Sequence, residues 1–93
     1  MNLKEVRENI DKIDSDMARL FEERMKCIEE VVRFKIENNL EIFDEKREKI
    51  VIDKNKRLLK NKEYEKYYIE FIKDMMKISK DYQLEIMKKE NMK

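Results

Sequence analysis

Residues 24–48 read RMKCIEEVVRFKIENNLEIFDEKRE, and their spacing decides the fold. Met17, Phe21, Arg24, Ile28, Val31 and Lys35 follow one another in steps of four and three, which traces one stripe along a helix. Such a stripe faces a core, yet two of its members are cations. A helix places Arg24 and Lys35 within about 20° of the same face and roughly 16 Å apart along its axis. Their long side chains can therefore converge on one small anion between them. Asn38 and Asn39 tolerate a left-handed cap and predict the end of this helix. Asp44, with Arg47 and Glu48 just behind it, predicts the start of the next. One turnaround thus gathers two stripe cations and a charged helix start.

Upstream, Leu3, Val6, Ile10, Ile13, Met17 and Leu20 alternate steps of three and four, the seam of a helix in a bundle. The first helix is predicted from Asn2 or Leu3 to about Asn38, roughly 50 Å long. The rest of the chain is too short to cover so long a seam, and a second copy of the same chain is the expected cover. A monomeric hairpin with a frayed N-terminus is the plain alternative. Arg7 lies beside the seam, about 25 Å along the axis from Arg24 and on another side of the helix. The two can grip one small molecule only if an antiparallel partner brings its Arg7 to this chain's Arg24. Otherwise Arg7 is a solvated helix charge.

Downstream, a second helix is predicted from Asp44 to roughly Asn61. Asp44 suits the N-cap, and Glu45 and Glu48 suit the positive end of the helix dipole. Arg47 runs against that preference, which points to another role. Ile50, Val51 and Leu58 give this helix only a thin apolar face. A third helix is predicted from about Glu63 to Lys88, with Tyr68, Ile72, Met75, Met76, Ser79, Gln83 and Ile86 facing inward. Met75 and Met76 read as core filler. Ser79 and Gln83 share that inward stripe, and buried without partners each costs on the order of 1–3 kcal/mol.

Composition sets the frame. Gly and Pro are both absent, which removes the chemistry of tight hairpins and leaves all-α as the expected class. The 93 residues make one domain, 1–93, whose own core is marginal. A net charge of +1 predicts no broad attraction to nucleic acid or to a membrane surface, so any anion site is local. The chain has no His and a single cysteine, Cys27, which excludes a Cys–His nucleophile pair and an intrachain disulfide and speaks against zinc. Cys27 reads as a reduced core residue. The N-terminal MNLKEVREN has no apolar run resembling a signal peptide, and no stretch has transmembrane length; the expected location is cytoplasmic. What remains is a polar set, Arg7, Arg24, Lys35, Arg47, Glu48, Ser79 and Gln83, gathered in a helical bundle. Cations in that excess describe a pocket for a small polyanion, a dicarboxylate above all, because arginine forks match the two oxygens of a carboxylate.

LKEVRENIDKID, LFEERMKCIEEVVRFK, the IFDEKRE turn and SKDYQ together resemble the all-helical bacterial chorismate mutases, across nearly the whole chain. The resemblance implies an intertwined homodimer of three-helix chains with two shared sites, no metal and no cofactor. It implies that Arg24, and Arg7 of the opposite chain, bind the two carboxylates of chorismate, with Ser79 assisting. Lys35 and Gln83 would donate to the ether oxygen of the breaking bond. Glu48 would accept from the ring hydroxyl, helped by the Asp44 backbone, with Arg47 nearby. The turn departs from the family habit: it reads NNLEIFD where Gly and Pro are common. The implied reaction is the Claisen rearrangement of chorismate to prephenate, in phenylalanine and tyrosine biosynthesis. Two other functions fit such a chain: an isochorismate pyruvate-lyase of the same fold, disfavoured by the Arg47-Glu48 pair, and a non-catalytic domain sensing chorismate or prephenate. A purely structural helical dimer would do neither.

Overall fold

Asn2 starts the first helix: its side-chain oxygen accepts from the Glu5 amide at 2.9 Å, satisfying a donor that the helix itself leaves free. The computed structural model describes residues 2–93. Among these, the chain forms α1 (Leu3–Glu37), α2 (Glu45–Leu58) and α3 (Glu65–Asn91), with a one-turn 3-10 helix at Lys62–Tyr64 leading into α3. The class is all-α, with a long first helix, as the periodicity implies. No helix among the described residues is long and apolar enough to cross a membrane.

α1 ends where the asparagines stand. The Asn38 amide and side chain both donate to the Phe34 carbonyl, and Asn39 takes the left-handed conformation at φ 53°. The Leu40 amide then closes back on the Lys35 carbonyl at 2.8 Å. Asp44 caps α2 by accepting from the Arg47 amide at 3.0 Å. α2 stops at Leu58, short of the expected Asn61, because Leu59 turns extended and the Asn61 side chain caps the following 3-10 turn through the Glu63 amide. α3 accordingly begins two residues later than the expected Glu63, and it continues to Asn91.

α3 packs against both α1 and α2 and carries most of the core. Ile72 and Met76 of α3 are buried with Val32 of α1 and Ile42 of the turn, and so are the polar Ser79 and Gln83. Every inward residue expected of α3 is buried or half-buried. α2 presents less apolar surface than expected: Leu58 and Ile50 are exposed, while Val51, Ile52 and Asn55 are half-buried. Asn55 ties α2 to α3, donating to the Val51 carbonyl and accepting from the Tyr68 hydroxyl at 3.3 Å.

α1 departs from the stripe reading in two ways. Its most enclosed residue is Val32, 1% exposed, which lies off the stripe, whereas Met17, Phe21 and Val31 are exposed. The helix uses two adjacent faces: Glu29, Val32 and Ile36 border Tyr82 and Ile86 of α3, and Arg24, Ile28, Val31 and Lys35 turn toward a cavity. Cys27, expected in the core, is exposed. Five residues of helix separate it from Val32 by about 140°, so burying one turns the other outward.

Leu3, Val6, Ile10, Ile13, Met17 and Leu20 are all exposed as well. The N-terminal half of α1 projects from the rest of the chain, and the chain as a whole measures 55 × 26 × 15 Å. Its radius of gyration, 16.6 Å, exceeds the roughly 12 Å of a compact domain of this length.

Candidate active site

Three segments enclose one cavity of about 150 Å³. α1 contributes Arg24, Ile28, Val31 and Lys35, the stripe read from the sequence. α3 contributes Met76, Ser79, Lys80 and Gln83, and the turn and first turns of α2 contribute Ile42, Asp44, Arg47, Glu48 and Val51. Seven of the eight residues singled out in the sequence therefore meet at one place. The eighth, Arg7, is exposed on the projecting half of α1 and does not line its own chain's cavity.

Arg24 donates through Nη1 to the Ser79 hydroxyl, and that hydroxyl donates in turn to the Met75 carbonyl at 2.9 Å. With its proton committed to the helix backbone, Ser79 acts as an acceptor and fixes the guanidinium fork. Burial holds the Arg24 pKa below the usual guanidinium range, and the positive charge of Arg47 adds to this, against a smaller opposing influence of Cys27. The group stays a cation at neutral pH. Both causes favour a bound anion, which would offset the desolvation and the repulsion together.

Lys35 donates to the Ile42 carbonyl at 2.7 Å. One of its three hydrogens is so used, and two remain for a ligand. Gln83 is 5% exposed, and among the described residues its Oε1 has no hydrogen-bond partner. Enclosing an amide oxygen in this way costs on the order of 1–3 kcal/mol, a cost that marks functional positions. Glu48 is bound by Lys80 at 2.8 Å. Arg24, Lys35 and Arg47 have no carboxylate within salt-bridge distance among the described residues, in a chain with 22 acidic side chains. Three cations at one cavity, two of them half-buried and all without an acidic partner, suit a small dianion.

The family model described as chorismate mutase type II matches residues 6–84, from the seam of α1 through the cavity face of α3. The chain belongs to the type II chorismate mutase family. It is an isomerase that converts chorismate to prephenate, in aromatic amino acid biosynthesis. No curated protein and no solved structure matches it significantly.

For a chorismate mutase, the sequence left one cavity cation unnoticed. Lys80 stands four residues after Met76 and three before Gln83, on the same face as both, and that spacing was the available signal. Ile42, whose backbone holds Lys35, carries no such signal, because its contribution is a carbonyl.

A second, larger groove of about 450 Å³ runs between α1 and α3 and shares no lining residue with this cavity. It is bordered by Glu29, Glu37 and Glu90 with Arg33 as its cation, a poor lining for a dianion. Tyr82 spans it by donating to Glu29 at 2.7 Å. That bond, followed by desolvation and the charges of Glu29 and Glu85, pushes the Tyr82 hydroxyl above the usual phenol range.

Proposed function

We propose that the Arg24–Lys35–Gln83 cavity catalyses the rearrangement of chorismate within a homodimer whose partner chain supplies Arg7. The observation that carries this reading is the set of three cations without acidic partners around one buried amide whose oxygen has no hydrogen-bond partner among the described residues. Arg24 grips one substrate carboxylate and Arg7 of the opposite chain the other, which folds the enolpyruvyl side chain over the ring. Glu48 accepts from the ring hydroxyl, beside Arg47 and the Asp44 backbone. As the carbon–oxygen bond breaks, negative charge grows on the ether oxygen. Lys35 and Gln83 donate to it, and they stabilise the transition state more than the substrate because the charge is greater there. The rearrangement is intramolecular and uses no nucleophile or general base, so a chain without His meets its needs.

The dimer is supported by the exposed seam from Leu3 to Leu20 and by the elongated body of a single chain. An antiparallel partner would bury both seams and carry its Arg7 toward this cavity. The direct test follows chorismate loss and prephenate formation with the purified chain. Prephenate is the expected product. Chorismate binding without turnover, or pyruvate released from isochorismate alone, would overturn the reading.

Gln83 donates as a neutral amide, and Gln83→Glu donates only when protonated. An ordinary glutamate has a pKa of about 4.3, so its protonated fraction grows as pH falls. That fraction rises about 80-fold between pH 7 and pH 5, so the variant is expected to gain activity by well over tenfold across this range while the parent enzyme changes little. A pH–rate profile checks this, and activity that rises with pH would contradict the donor role.

A further inference from the structure

Lys80 makes an ion pair unlike the others. Among the described residues, every other salt bridge joins residues three or four apart along the chain. Lys80 instead reaches from α3 to Glu48 in the first turn of α2, Nζ to Oε2 at 2.8 Å, with both side chains largely shielded at 30% and 26% exposure. Its ammonium also sits 4.8 Å from the centroid of the Phe43 ring, in the turn before α2. One side chain thus joins α3, α2 and the reversal at the edge of the cavity. Exposed pairs within a helix contribute little, but a shielded cation held by a carboxylate and an aromatic face has a defined place.

Two consequences for the cavity follow. Glutamate is flexible, and an acceptor that must be ordered during binding weakens it; Lys80 orders this one beforehand through Oε2. Lys80 also sets the charge. With it, this chain's lining has four cations, Arg24, Lys35, Arg47 and Lys80, against the two carboxylates of Asp44 and Glu48, before Arg7 of the opposite chain adds its own.

We infer that Lys80 is a positioning residue for the rearrangement, pinning Glu48 so that its second oxygen meets the ring hydroxyl of the substrate. The inference rests on the reading of Glu48 as that acceptor. It is tested on the full chain with chorismate by a cycle of Lys80→Met, Glu48→Gln and the double variant, with Lys80→Arg as the conservative control. Lys80→Met is expected to lower kcat/KM about tenfold, the scale of one charge-assisted hydrogen bond, and Lys80→Arg to stay within about threefold of the parent. In the Glu48→Gln background, adding Lys80→Met should change kcat/KM by less than about twofold, because the group it positions is already gone. Should Lys80→Met misfold by circular dichroism, Lys80→Gln takes its place in the same cycle. An equal loss in both backgrounds, or no loss from Lys80→Met, overturns the inference while leaving the Glu48 reading intact. If Glu48→Gln alone retains parental activity, the reading of Glu48 falls and this inference with it.

Discussion

Lys35→Ala should slow prephenate formation by more than a hundredfold at saturating chorismate while leaving the chain helical. Lys35 is half-buried on the cavity face of α1 and keeps two ammonium hydrogens beyond the one given to Ile42. Removing a preorganised donor from an oxygen that gains charge in the transition state costs about 3 kcal/mol or more, which is over two orders of magnitude in rate. The same substitution frees the Ile42 carbonyl, so a melting curve must accompany the kinetics. A modest loss of stability with a collapse of kcat is the expected pair of results. A folded variant with near-parental kcat would remove Lys35 from the mechanism.

Arg7→Ala and Arg24→Ala should each reduce activity by about a hundredfold or more, since each removes one carboxylate clamp from every site. Their mixture should not. Unfolded together in equal amounts and refolded, the two variants pair at random and about half the dimers are mixed. In each mixed dimer one site receives both substitutions and the other receives neither. Activity should recover to about a quarter of the parental value per site, for sites that act independently. The two residues lie on one continuous helix, α1, and only Arg24 lines the cavity, which is why the complementation is expected. If mass spectrometry shows mixed dimers and no activity returns, the shared site is wrong.

The elements of this fold were legible because each has a local cause. Helical periodicity marked α1 and α3, asparagines marked the reversal, and Asp44 marked the start of α2. The cavity was legible for a related reason: Arg24, Lys35, Ser79 and Gln83 are polar residues at apolar positions, and that conflict is visible in a string of letters. What escaped depends on how the helices meet. The same sequence period fits either of two adjacent faces of α1, and only the packing of α3 selects Val32 over Val31 as the buried one and turns Cys27 outward. The end of α2 escaped because two asparagines compete as punctuation, and Asn61 serves the turn after it instead of the helix before it. Lys80 escaped because lysine on a helix is ordinary until its partner on another helix is known. The resemblance to chorismate mutases supplied the roles of these residues, which neither periodicity nor charge could assign.

The bond from Lys35 to Ile42 has a consequence for how this protein can change. Its acceptor is a backbone carbonyl, so no side chain in the reversal encodes it. Substitutions at the exposed Leu40 and Glu41 can accumulate without touching the Lys35 ammonium, provided the path of the main chain persists. The left-handed residue at position 39 and the buried side chain at 42 secure that path. A reversal spelled with asparagines can therefore do what one spelled with glycine and proline does elsewhere. Drift at those two positions is silent for the cavity, whereas a single inserted residue, by shifting the carbonyl, is not.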